Sequence, residues 1–386
     1  MPRLSAIRSI AEKRANLVMS RRTSNGSVGV AMIARTPIAG ACVWQGRDMV
    51  ESARWIRDLP QDVLAELDAA LDRVRRRQIA WNAITRTDFP LSRTVDLLAE
   101  VAAELETGCG MIKLRGLPVA RYSDHDLRCI WFGLGAHLGR PVFQNCRGEL
   151  MRDIRDEGAD VGQRYGQIAA EGGERPPFLS SYARTLSNGA LRFHTDRCDV
   201  VGLLCVRQAR SGGVSKLCSS PAVHNAMLAR RPDLVEALYR DIWRSRLGEE
   251  EGGEKIAYPL PIFGARDGSF TSRYSLTYIE AAQLMTNVPK LTSEEREAIV
   301  LLMALAEELS FEMTLAPGDI QLLNNHVIYH GRTPFEDDPA SGRDRLLLRL
   351  WLSMPNSRGL PRGHEVLWRS IAPGALRGGI GQHPIA

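Results

Sequence analysis

Residues 345–352 read Arg-Leu-Leu-Leu-Arg-Leu-Trp-Leu. Their two-residue period marks a β-strand, because successive side chains of a strand point to opposite faces. Leu346, Leu348, Leu350 and Leu352 share one face, and Arg345, Leu347, Arg349 and Trp351 share the other. If this second face is buried, its two guanidiniums need anionic or carbonyl partners, since an unpaired buried cation is costly. The alternative is an edge strand with its arginines in water, which would leave Leu347 and Trp351 exposed.

Upstream of this strand the chain carries further short β-like runs at 192–196, 201–207, 214–218, 312–316, 319–323 and 326–330, separated by Gly, Pro, Asn and Asp clusters. Earlier segments have helical spacing instead. Val63, Leu64, Leu67, Leu71 and Val74 recur after Pro60, and residues 94–107 and 124–138 are also amphipathic. Between the second and third of these lie a strand at 111–114 and a turn at 115–118. A helical insert, roughly 221–241 and 276–310, interrupts the later strands. This order predicts an α+β chain on a β-sandwich or jelly roll, with flanking helices. The simplest division is a basic extension over 1–40 and a single catalytic domain over 41–386.

Composition narrows the possible partners. Apolar residues make up 44% and charged residues 25% of the chain, ordinary globular values. No apolar run approaches the roughly 20 residues a membrane span needs. Seven scattered cysteines without a CxxC pair argue against a disulfide framework or zinc knuckle and fit a reducing, cytoplasmic setting. Residues 1–35 hold seven basic residues against the single acid Glu12, so the remainder is close to neutral and offers no basic surface to nucleic acid. The arm itself reads as a flexible extension or, alternatively, a mitochondrial presequence. A secretory signal lacks its apolar stretch. A small-molecule partner is expected, and a homo-oligomer is compatible with this composition.

Two segments carry candidate metal ligands. In Phe193-His194-Thr195-Asp196 the first histidine and the acid are two apart, so in a strand they face one metal ion; alone, such a pair is weak. The second segment runs from Pro317-Gly318-Asp319 through an Asn324-Asn325 break to His330-Gly331-Arg332. His326 and His330 have the same strand parity, so spacing does not choose between them. Gly108-Cys109-Gly110 and Gly252-Gly253 read as loop glycines rather than phosphate cradles, since no Lys-Ser/Thr follows. Glu249-Glu250-Glu251 reads as a solvated turn.

In chain order these pieces are a His-x-Asp, a Gly212-Gly213-Val214-Ser215 strand, a distant histidine and an arginine soon after it. The pattern resembles the taurine dioxygenase (TauD/TfdA-like) family of Fe(II)/2-oxoglutarate-dependent oxygenases. The resemblance spans roughly residues 105–358, including the Arg115–Pro118 turn and Gln144-Asn145.

The resemblance implies a double-stranded β-helix (jelly-roll, cupin-like) core with the helical insert between the metal-binding strands. It implies that His194, Asp196 and His330 hold Fe(II) as two histidines and a carboxylate with open positions, which leaves His326 a supporting role. Arg345 and Ser215 would hold the distal carboxylate of the cosubstrate 2-oxoglutarate. O2 would be consumed while 2-oxoglutarate goes to succinate and CO2, with oxidation, by default hydroxylation, of an unactivated C–H bond. Arg349 matches a position that in some members meets an anionic group of the substrate, and Tyr182, Asn145 and Gln144 are pocket candidates by order in the chain. Two other readings are a jelly-roll metalloenzyme that does not use 2-oxoglutarate and a non-catalytic binding protein on the same scaffold.

Overall fold

The structure, a computed structural model, describes residues 35–168, 178–246, 249–250 and 253–381. The basic arm over residues 1–34 lies outside them, and with it the readings of that arm as extension or presequence. The described residues from Thr36 onward form one compact unit. Among the described residues no helix is long and apolar enough to cross a membrane.

The strands that position the site are β1 (Ile56–Asp58), β2 (Met111–Arg115), β3 (Arg140–Pro141), β4 (Met151–Ile154), β5 (Leu191–His194) and β6 (Val200–Arg207). They continue with β7 (Ser215–Ser219), β8 (Phe311–Met313), β9 (Ile320–Asn324), β10 (Ile328–Arg332) and β11 (Leu346–Ser353). A large sheet runs β1-β2-β9-β6-β11-β3, with β4 also paired to β11. A four-stranded sheet runs β8-β7-β10-β5. Strands β1 and β2 are parallel, whereas the partners of β6, β7, β10 and β11 are all antiparallel to them.

The leucine face of β11 packs as its period predicts. Leu346, Leu348, Leu350 and Leu352 join one apolar cluster with Val63, Leu67, Leu71 and Val74 of α1 (Gln61–Arg77). The same cluster takes Leu98 and Val101 of α2 (Thr94–Glu106) and Ile130 and Trp131 of α3 (Asp124–Leu138). Helix α3 begins at a capping box, in which Ser123 and Asp126 exchange bonds across the first turn. Its Trp131 packs so closely on β6 that a Cβ at Gly202 would lie 2.7 Å from the indole.

The opposite face of β11 looks toward the small sheet. Leu347 and Trp351 share a cluster with Val201 and Cys205 of β6, Leu323 of β9, Leu217 of β7 and Phe311 and Met313 of β8. The two sheets therefore enclose a second core, and the site residues lie at its polar parts.

The insert between β7 and β8 is helical in both stretches expected, 221–241 and 276–310. It holds α4 (Ser220–Arg230), α5 (Pro232–Leu238), α6 (Leu276–Gln283) and α7 (Ser293–Leu309). Between α5 and α6, however, stand two small hairpins, Ile242–Ser245 with Ala257–Leu260 and Phe263–Arg266 with Ser269–Ser272. The helices pack on the outer face of the small sheet through Phe193 and Tyr329, the neighbours of the two candidate histidines.

Candidate active site

Strands β5 and β10 lie side by side with His194 directly opposite His330, and their ring centroids are 4.3 Å apart. Strand β5 stops at His194, so Asp196 is not on it, contrary to the strand expected over 192–196. The chain leaves the ladder because its next groups bond elsewhere: Thr195 N–H donates to the Tyr274 carbonyl and Asp196 N–H to Asn325 Oδ1. This turn brings Asp196 Oδ1 to 3.8 Å from His194 Nε2 and Oδ2 to 3.8 Å from His330 Nε2. One ligand atom from each of the three residues lies within 4.8 Å of the other two, a set that could hold a metal ion.

The protonation states suit that role. Burial pushes the His194 imidazole below its usual value, and burial with His194 alongside brings His330 to about 3, so both rings are neutral. His194 Nδ1 lies 2.9 Å from the Arg192 carbonyl. A neutral ring must donate there, which leaves the Nε2 lone pair toward the shared centre. Burial alone would raise the Asp196 carboxyl, but the Arg349 charge above all outweighs it and holds it below the ordinary value. Asp196 Oδ2 also accepts from Trp351 Nε1 at 2.9 Å.

His326, the competing histidine, sits in the turn between β9 and β10 rather than on a strand, so the parity argument does not apply to it. It is fully buried, with Nε2 2.9 Å from Asp199 Oδ1 and Nδ1 2.8 Å from Thr271 Oγ1. Asp199 in turn takes a 2.7 Å bond from Arg377 Nε. Burial pushes His326 down to about 4, so the charge pair in this network is Asp199 with Arg377.

Arg345 and Ser215 are both buried. Ser215 shares the inward face of β7 with Leu217, which stands opposite His330. The glycines before it explain the motif. Gly212 and Gly213 both have positive φ, and a Cβ on Gly213 would meet the Arg345 Nε at 3.0 Å, so the backbone lies against that guanidinium. Arg345 lines a cavity of about 230 Å³, separate from the one beside Asp196. Its side chain has one long contact, Nη1 to the Ile154 carbonyl at 3.4 Å, and it stacks over Phe335. Arg332, opposite Ser215 on β10, is a further buried cation stacked on Phe335, and sequence reading gave it no role.

A small cavity of about 20 Å³ adjoins Asp196. Of the expected pocket residues, Arg349, Tyr182 and Gln144 line it. Asn145 does not, and instead donates to the Tyr182 hydroxyl at 3.0 Å from behind. Arg349 is aimed by a 2.6 Å bond from its Nε to Gln144 Oε1. Three lining residues come from the insert: Glu249, Arg273 and Tyr278. Glu249 corrects the expected solvated turn. Its carboxylate accepts from the Tyr278 hydroxyl at 2.8 Å, and burial raises its pKa to about 7. Arg273 lies on a short extended segment that bridges to His194 through Ser275. No local pattern in the insert announced these three; only the fold brings them to the turn that carries Asp196.

The chain was compared with known proteins. Residues 48–351 match the family described as "Taurine catabolism dioxygenase TauD, TfdA family". The chain belongs to the TauD/TfdA dioxygenase family. Among its relatives, FR-33289 synthase of Streptomyces rubellomurinus is 30% identical, covering 85% of this chain and 94% of its own. An asparagine oxygenase solved with Fe(II), 3-hydroxyasparagine and succinate superposes with a TM-score of 0.56 at 18% identity, over 78% of this chain and 94% of that one. The oxygenase OrfP solved with Fe and α-ketoglutaric acid gives 0.54 at 16% identity, over 83% of this chain and 99% of that one. At these identities the two structures speak for the fold. With the family match and the His-Asp-His cluster, the chain is an iron- and 2-oxoglutarate-dependent dioxygenase.

Proposed function

We propose that this chain couples decarboxylation of 2-oxoglutarate to hydroxylation of a small anionic molecule, with Fe(II) held by His194, Asp196 and His330. The observation that carries the reading is the set of three ligand atoms within 4.8 Å of one another, two of them on neutral imidazoles. Two nitrogens and one carboxylate oxygen, with no fourth protein ligand among the described residues, suit Fe(II) with open positions. The two main sheets, with a core between them, are read as the halves of a double-stranded β-helix.

Bound iron and 2-oxoglutarate supply the oxidising chemistry that no side chain can provide. The chain's own residues bind and aim. Arg345 is a buried cation with one long carbonyl contact among the described residues, and with Ser215 it offers the cosubstrate's distal carboxylate a charge-assisted end point. Trp351 holds Asp196 in place by its hydrogen bond, and Arg192 holds the His194 tautomer through its carbonyl. Gln144 fixes Arg349, whose guanidinium faces the cavity where substrate would lie.

The test is anaerobic addition of Fe(II) and 2-oxoglutarate to apo-protein. A weak visible metal-to-ligand charge-transfer band is expected, absent in His194→Ala and weakened in Arg345→Ala. Iron binding without that band, and without succinate once air is admitted, overturns the proposal.

A further inference from the structure

The inner face of β11 leads away from the turn that carries Asp196. Trp351 and Arg349 stand beside that carboxylate, and Arg345 comes roughly 13 Å of strand before Arg349. Strand β7 follows the same course. Its Leu217 is paired with His330, Ser215 lies two residues before it, and the Gly213 backbone rests against the Arg345 side chain. In register, Ser215 and Arg345 thus come between the candidate metal ligands and the cavity that Arg345 lines. No residue lines both this cavity and the one beside Asp196.

The two cavities differ in size and charge. The one beside Asp196, about 20 Å³, has room for roughly one water. The one at Arg345 is about 230 Å³, and four guanidiniums line it, Arg207, Arg210, Arg343 and Arg345, with no carboxylate. Arg207 and Arg210 pair outside the lining with Asp344 and Glu336. Arg343 and Arg345 form no ion pair among the described residues. Arg210, Thr314 and Arg343 at the rim are exposed, whereas Arg345 is 6% exposed. Positive charge therefore runs inward from solvent to the cation that the proposed function gives to 2-oxoglutarate. A cleft walled by one sign of charge concentrates its counter-ion and speeds its capture.

We propose that this arginine-lined mouth is the port through which 2-oxoglutarate enters and succinate leaves, apart from the face that the insert closes. The inference rests on the oxygenase reading, and on Arg345 as the anchor of the distal carboxylate; what it adds is the route. Arg343 at the rim draws the dianion in. The 2-oxo end passes Arg345 first, and the trailing carboxylate stops there, where the guanidinium has donors to spare. Succinate, also a dianion, returns the same way, so its release does not wait for the oxidised substrate to depart.

The test is anaerobic stopped-flow mixing of the Fe(II)-loaded full chain with 2-oxoglutarate, followed by the charge-transfer band. Equilibrium titration of the same band gives the dissociation constant. Thr314→Trp sets an indole in the exposed rim. It is expected to slow association at least about tenfold while the dissociation constant stays within about twofold of wild type, because a narrowed passage hinders entry and release alike. Arg343→Glu is expected to slow association several-fold at low ionic strength, with the difference closing by about 0.5 M salt. Association at the wild-type rate in both variants overturns the port. So does a weakened dissociation constant in Thr314→Trp with no change in association rate, which would make the rim a binding contact rather than a passage. Absence of the band in wild type overturns the oxygenase reading, and the port with it.

Discussion

Trp351 Nε1 lies 2.9 Å from Asp196 Oδ2 and ties the large sheet to a candidate metal ligand in the turn after β5. The bond spends one lone pair of the carboxylate and fixes the direction of the others. Trp351→Phe keeps the ring and loses the donor. It is expected to weaken Fe(II) or Zn(II) binding roughly tenfold, the usual scale for groups that orient a ligand. Metal affinity by competition with a chromophoric chelator checks this; affinity equal to wild type would make the bond incidental.

Asp199 joins His326 to Arg377 in a fully buried network. Asp199→Asn removes the one carboxylate that pairs with Arg377 among the described residues and leaves its charge stranded. The expected loss of folding stability is about 3–5 kcal/mol, read from urea unfolding monitored by tryptophan fluorescence. His326→Asn leaves the Asp199–Arg377 pair in place and is expected to cost clearly less.

Glu249 predicts a pH-dependent stability. It is faced by Tyr278, Arg197, Arg273 and Asp196, and burial raises its pKa from 4.5 to about 7. Between those values the folded chain holds a proton that the unfolded chain has lost, so stability falls as pH rises, by at most about 1.4 kcal/mol per pH unit. Below that window the group contributes no penalty; above it the penalty is constant. Glu249→Gln is expected to raise the melting temperature at alkaline pH, with the gain vanishing toward acid. A gain of the same size at every pH would assign the effect to packing.

Gly202 sits in the middle of β6, between Leu322 of β9 and Leu350 of β11, under the Trp131 indole. Gly202→Ala forces a methyl to 2.7 Å from that ring. Overpacking of this kind is expected to destabilise by about 1–3 kcal/mol, measured by thermal and urea unfolding, with metal affinity nearly unchanged.

The strand at 345–352 was legible because its two faces differ in chemistry, and both faces pack as that difference requires. Helix α3 matched its expected span because its capping box and its Gly139 end are local signals. His194 and Asp196 do lie close together, but a turn held by Asn325 and Tyr274, not strand parity, brings the carboxylate round. The choice of His330 over His326 came from family resemblance. Only the structure shows His326 committed to Asp199 and Thr271. The hairpins at 242–272 went unread because four-residue strands holding Arg, Pro and Gly give no alternation to read. Glu249 went unread because its partner Tyr278 lies 29 residues away.

Every residue assigned to iron or 2-oxoglutarate lies in or beside the strands of the two main sheets, whereas Glu249, Arg273 and Tyr278 come from the excursion between β7 and β8. That excursion leaves and rejoins the small sheet at neighbouring strands, since β7 and β8 pair directly. Inheritance can therefore act on the two parts separately. A lineage could exchange the excursion, and with it the molecule it recognises, while the oxidising machinery passes on unaltered.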